Sequence, residues 1–226
     1  MSRISHSATA APASSERHVP DARQRILAAA GEIFAAHGFE GATVRMITER
    51  AGVNLAAVNY HFGDKAELYT QVLSLCRCSA QEAAGVCEWP EKAPAGERLR
   101  FCIERATRRM LNPDRPRWQR LIYAREMIEP SGMLGRVVSE QIAPEFTQLR
   151  ETLDELTGRT LPQRELFKLG FSIIGQCLFY LQNGPLIALL NPALEKKPPT
   201  VEEIVDHVCQ FSLNALRPAP PPPKKR

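Results

Sequence analysis

From Ile26 to Leu216 the apolar residues of this chain return at intervals of three and four, with no sustained alternation of two, a pattern that restricts the fold to packed helices. The clearest stripe is Ile26, Leu27, Ala30, Ile33 and Phe34, and it ends at His37-Gly38, where glycine suits a left-handed cap. Thr43 stands as an N-cap ahead of Val44, Ile47 and Ala51, and Gly52 interrupts that second helix after about two turns. Asn54 caps a third short helix through Leu55, Val58 and Phe62. Gly63-Asp64 stops it and caps a fourth, which the pattern carries from Lys65 towards Cys87. Longer helical patterns cover Leu99–Leu111, Arg117–Ile128 and Leu134–Leu156, followed by two more over roughly 163–183 and 200–216. The expected fold class is all-α: an N-terminal three-helix helix-turn-helix domain and a C-terminal helical bundle.

At 226 residues, with 44% apolar and 24% charged side chains, the chain has the make-up of a folded protein with one or two cores. Trp89-Pro90, Pro94 and Gly96 mark a break, which gives expected units of 21–88 and 97–216. An arm over 1–20 and a Pro-rich basic tail over 217–226 flank them. Leu166–Leu190 is the most apolar stretch, but Lys168, Gln176, Gln182, Asn183 and Pro185 argue against a membrane span. The first twenty residues lack the apolar core of a signal peptide, so a cytoplasmic protein with no membrane partner is expected.

Cys76, Cys78, Cys87, Cys102, Cys177 and Cys209 fall mostly within apolar helical patterns, as small buried hydrophobes do. Cys76-x-Cys78 raises an alternative, a thiol- or metal-responsive regulator, although residues two apart diverge on a helix and no complete metal-ligand spacing is present. No Gly-rich phosphate loop, nucleophile elbow or His-Glu metal motif occurs, so neither catalysis nor a cofactor or metal is expected.

The net charge of +4 permits nucleic-acid binding, yet between Asp21 and Leu75 five Lys/Arg face six Asp/Glu, so charge alone does not carry it. Geometry does. Val44, Ile47 and Ala51 turn the second helix inward, Gly52 permits a tight turn, and Val58 with Phe62 anchors the third helix. The other face of that helix, with Leu55, Ala56, Ala57, Asn59, Tyr60 and His61, is left free to enter a major groove.

Thr43-Val-Arg-Met-Ile-Thr-Glu-Arg-Ala-Gly-Val53, Tyr60-His-Phe62 and Asp64-Lys-x-Glu-Leu68 together resemble the N-terminal domain of TetR repressors over about residues 22–70. The resemblance implies phosphate contacts from Thr43, Tyr60, His61 and Lys65. It makes Arg45, Asn54, Leu55, Ala57 and Asn59 the candidate base or groove contacts, and it favours repression of a double-stranded DNA operator. Asp114-Arg-Pro-Arg-Trp118 followed by Ala124-Arg-Glu-Met-Ile-Glu-Pro130 is similar to the CecR-like (YbiH-like) subgroup, over roughly 97–215.

One short recognition helix binds weakly alone, so a two-fold homodimer on a near-palindrome is expected, its reading heads about 34–36 Å apart or slightly more. Apolar residues nearly encircle Leu166–Leu181, which therefore needs protein on two sides. Phe167, Gly170, Ile174 and Leu178, with Val205, Val208 and Phe211 of the last helix, are the expected dimer contacts, and Gly170 and Gly175 would allow close backbone approach. An unidentified small-molecule effector is expected in the C-terminal half, with Trp118, Tyr123, Arg125, Phe171, Gln176 and Tyr180 as candidate contacts. Arg125 and Glu126 lie among apolar neighbours, so a charge turned inward needs an ionic partner or a ligand. Arg98, Arg100, Arg105, Arg108, Arg109, Arg115, Arg117 and Arg120 read as a solvated face.

Overall fold

The computed structural model describes residues 21–77, 88–112 and 115–216, and among them every regular element is helical. Helix α1 (Ala22–Gly41) opens with a capping box in which the Asp21 carboxylate accepts from Gln24 N at 2.7 Å and Gln24 Oε1 accepts from Asp21 N. Its backbone leaves helical geometry at Gly38 (φ 71°), the glycine at which the sequence pattern ends. Thr43 caps α2 (Val44–Ala51), Asn54 caps α3 (Leu55–Phe62) and Asp64 caps α4 (Lys65–Leu75), each side-chain oxygen accepting from the amide three residues on. Gly52, at φ 65°, makes the turn between α2 and α3 in a left-handed conformation that a Cβ would strain. α4 is described to Leu75; its expected continuation towards Cys87 lies largely outside the described residues.

The remaining helices are α5 (Ala95–Leu111), α6 (Arg117–Ile128), α7 (Leu134–Val137), α8 (Ala143–Leu156), α9 (Gln163–Gln182), α10 (Gly184–Leu190), α11 (Pro192–Lys196) and α12 (Val201–Ala215). The stretch 134–156 is not the uniform helix its apolar spacing implies, because a π-helical turn, Val138–Ile142, joins α7 to α8. Pro144 supplies the physical reason: a proline ring collides with the carbonyl four residues earlier, and one wider turn relieves the collision.

Among the described residues the buried side chains form two cores. The first gathers Ile26, Phe34, Ile47, Val58, Leu68 and Tyr69, with Phe34 edge-on to Tyr69 at 4.6 Å between ring centroids. It also takes in Ile122 and Val137, with Trp118 and Met133 at its margin, so the break near residues 88–96 divides the sequence without dividing the packing. α6 lies along α1, and the Trp118 ring covers Gly31, where a Cβ would stand 2.6 Å from three ring carbons. The second core is built around α5, which packs on α8, α9 and α12 and buries Leu99, Ile103, Leu153, Leu166 and Val208.

This second core corrects part of the expected dimer surface. Val205 and Val208 are 1% and 0% exposed inside the subunit, because their stripe on α12 faces α5 rather than solvent. Gly170 is likewise internal: the Phe146 ring occupies the space where a Cβ would sit, at 2.7 Å. Ile174 also leans on this core, whereas Phe167, Phe171, Phe179 and Phe211 remain exposed. No single helix among the described residues is long and apolar enough to cross a membrane; α9 and α10 together reach that composition but bend by 80°.

Candidate functional site

Helix α3 is held from below by Val58 (0% exposed) and Phe62 (4%), and this fixes which residues its outer face offers. Leu55 (56%) and Tyr60 (86%) stand out from that face beside exposed Asn54 and Asn59. A tyrosine so exposed on a rigid short helix makes little contribution to the fold, whereas its hydroxyl is free for a phosphate. Thr43 and Arg45 at the start of α2 are also exposed; Arg45 donates to Glu49 at 2.8 Å, an i,i+4 pair that an incoming phosphate can displace at small cost.

Three other candidates are less free: Ala57 and His61, which the spacing put on the open face, and Lys65, which the resemblance implied as a phosphate contact. Ala57 is half-buried against the first core. His61 is half-buried, its ring T-shaped on Tyr60 with centroids 5.0 Å apart, so it positions that ring. The Lys65 ammonium donates to the Phe39 and Ala42 carbonyls at 2.9 and 3.1 Å and lies 4.4 Å from the Phe39 ring centroid, tying the end of α1 to α4. Two of its three N–H donors are thus engaged within the protein.

The reading head is linked to the second half by a buried polar contact. Tyr69 of α4 donates its hydroxyl to Glu126 of α6 at 2.6 Å, and Glu126 also accepts from Ser131 N at 3.2 Å. Glu126, 1% exposed, is the inward charge among its neighbours, but a phenol and an amide satisfy it rather than a cation. Burial and the neighbouring carboxylate raise the Tyr69 hydroxyl far above its ordinary pKa, so it remains a donor. Arg125 instead packs its guanidinium against Gly38 at the end of α1 and lies 4.0 Å from Glu129. It therefore joins α6 to the head and lines neither cavity described below.

A cavity of about 220 Å³ opens between α5, α6, α8 and α9, with the end of α4 at its wall. Of the six expected effector contacts, Tyr123 and Phe171 line it. Gln176 and Tyr180 line a second, shallower depression beside α10 and His207, and Trp118 is committed to Gly31. Sequence reasoning missed the polar wall of the first cavity. Arg109 is only 8% exposed and grips Glu145 with both guanidinium nitrogens, at 2.8 and 2.9 Å, while Arg77 donates to the same carboxylate at 2.7 Å. Arg105 donates to Gln148 at 3.0 Å, Arg115 reaches the Cys76 and Arg77 carbonyls, and the Gln119 side-chain oxygen is buried without a partner.

The arginine run is therefore not one solvated face. Arg98, Arg100 and Arg108 form ion pairs with Glu155, Asp206, and Glu104 and Glu202, whereas Arg105 and Arg109, one turn apart, face the cavity. The available signal was their place in one stripe with Cys102 and Ala106, apolar positions that a solvated face would not share.

Cys76 lies at the cavity wall, its thiol donating to Val72 O at 3.3 Å and pushed up to about 12 by burial. A thiol so protonated is a poor nucleophile and a poor metal ligand. No group of three metal-ligating side chains exists among the described residues, and Cys78 lies outside them.

The comparisons with known proteins follow this two-part arrangement. Residues 26–72 match the family of bacterial regulatory proteins, tetR family. Residues 95–216, more than half of the chain, match the C-terminal domain of the HTH-type transcriptional dual regulator CecR. CecR of Shigella flexneri is 28% identical over 171 residues, covering 70% of this chain and 75% of its own. The HTH-type transcriptional repressor AcnR of Corynebacterium efficiens is 37% identical over 98 residues, 43% of this chain and 45% of its own, so the match spans under half of that relative's length. The crystal structure of AibR in complex with isovaleryl coenzyme A and operator DNA shares the fold, with a TM-score of 0.59 at 16% identity over 84% of this chain and 97% of that one. CecR and AcnR are transcriptional regulators and not enzymes. The chain belongs to the TetR family of DNA-binding transcriptional regulators, in the subgroup that carries the CecR C-terminal domain.

Proposed function

We propose that this protein is a homodimeric repressor that binds a near-palindromic operator and is released from it by a small-molecule effector held in the C-terminal cavity. The observation that carries the reading is the pairing of an anchored helix, α3, whose outer face bears Tyr60 at 86% exposure, with a helix, α4, whose far end at Cys76 and Arg77 lines the cavity. An effector that repositions the end of α4 moves the reading head attached to its start. AibR, of the same fold, is seen in complex with isovaleryl coenzyme A and operator DNA, which supports a small-molecule site and an operator site on one such protein. The candidate contacts are Thr43, Arg45, Asn54, Leu55, Asn59 and Tyr60 on DNA, with His61 and Lys65 as supports. Phe167, Leu178 and Phe211 are the candidate dimer contacts, in units taken as 21–88 and 97–216.

Selection of random duplex DNA by the purified protein, followed by titration at several salt concentrations, tests this. The expected result is an enriched near-palindrome whose binding weakens with salt and is lost in Tyr60→Ala without loss of fold. Recovery of no sequence preference would overturn it. Against a thiol-responsive regulator stands the buried, protonated Cys76.

A further inference from the structure

Resting on that reading, we infer that the effector is a small anion with an apolar body, and that it acts by competing with the Glu145 carboxylate for Arg77 and Arg109. Glu145 sits where three parts of the molecule meet. It is carried at the start of α8, immediately after the π turn, and it is gripped by Arg109 of α5 and by Arg77 just beyond α4. The side chains of Arg77 and Arg109 are only 13% and 9% exposed, so Glu145, itself 31% exposed, is a counter-ion to two largely buried cations. Arg77 is the one of the three attached to the reading-head helix.

The rest of the wall suits such a ligand. Arg105 is held only by the neutral amide of Gln148 among the contacts described for it, besides stacking on Phe101, and exposed Arg120 stands at the rim. The buried, unpartnered Gln119 amide oxygen is an acceptor and so offers a place for an N–H or O–H of the ligand's body rather than for its anionic head. Phe146, Phe171, Met110 and Ile174 add an apolar lining. A dry cavity of about 150 Å³ takes a benzene-sized molecule; one of about 220 Å³ has room for a body of that size with an anionic head. An anion that draws Arg77 or Arg109 away from Glu145 loosens the bridge from α4 to α5 and α8.

The experiment uses the full-length protein and a fluorescent duplex of the selected operator. The probes are hexanoate, octanoate and phenylacetate, each paired with its uncharged amide, and two readouts are taken: thermal midpoint without DNA, and operator affinity by anisotropy. At least one carboxylate is expected to raise the midpoint and weaken operator binding by about 5- to 150-fold, while its amide does neither at equal concentration. Arg105→Met, whose described hydrogen-bond partner is uncharged, is expected to weaken the carboxylate response with the operator affinity of the unliganded protein unchanged. Glu145→Gln is expected to bind operator more weakly with no ligand added.

Binding of the amides as tightly as the acids, or of no carboxylate at all, overturns the anionic class. A folded Glu145→Gln with wild-type operator affinity overturns the bridge as the coupling element. If an uncharged probe releases the operator, effector control stands and this inference fails; if the wild type selects no operator, the repressor reading fails while the thermal shifts still decide whether the cavity takes anions.

Discussion

Substitution of Gly31 by alanine sets two effects of opposite sign against each other at the junction of the reading head and the second half. Gly31 lies in the middle of α1, where alanine is favoured over glycine by about 0.8–1.0 kcal/mol. The new Cβ, however, would stand 2.6 Å from Cδ2, Cε2 and Cε3 of Trp118. Carbon atoms rest about 3.5–4.0 Å apart, so the indole must withdraw by roughly 1 Å as a rigid plane, and α6 must tilt with it. Overpacking of this kind costs about 1–3 kcal/mol, so Gly31→Ala is expected to be destabilising by up to about 2 kcal/mol net. In a Trp118→Ala background the clash disappears and the propensity gain remains, so the same substitution should stabilise by up to about 1 kcal/mol. Urea unfolding of the four proteins of this cycle measures the change of sign. A Gly31→Ala that stabilises equally in both backgrounds would refute the packing of Trp118 on α1, and with it the rigid connection between the two halves.

Tyr69→Phe removes the hydroxyl donor to buried Glu126 and should cost about 1.5–3 kcal/mol in denaturant unfolding, the range for hydrogen bonds to charged groups; a loss within error of zero would mean that the contact is not formed. Asn54→Ala deletes the cap on Ala57 N and should cost about 0.5–2 kcal/mol, with Asn54→Gly milder by comparison, as unfolding midpoints will show. The Cys76 thiol, raised from its ordinary 9.0 to about 12, favours the fold fully below about pH 9, and that contribution fades as pH climbs towards 12. Unfolding free energies at about pH 8, 9 and 10 should therefore fall more steeply for the wild type than for Cys76→Ala, by at most about 1.4 kcal/mol per pH unit; parallel slopes would show that the thiol is not buried as described.

Local signals in the sequence were sufficient for the head. Thr43, Asn54 and Asp64 cap because a short side-chain oxygen reaches the amide three residues on, and Gly38 and Gly52 turn because they alone tolerate positive φ there; none of this depends on distant residues. The anchoring of α3 by Val58 and Phe62, which leaves Tyr60 outside, follows from helical periodicity in the same way. Periodicity tells which residues share a stripe but not what that stripe meets. Val205 and Val208 face α5 rather than a second subunit, Gly170 receives Phe146, and Trp118 covers Gly31, because contacts between helices far apart in sequence decide them. The cavity was hidden for the same reason: Arg77, Arg109 and Glu145 are 36 or more residues from the partners they bind across it, and an arginine on a partly apolar stripe reads as solvated until a carboxylate from another helix is placed beside it. Glu126 found a phenol and an amide because the low-polarity interior demands that a carboxylate be hydrogen-bonded, and the fold decides which donors are near.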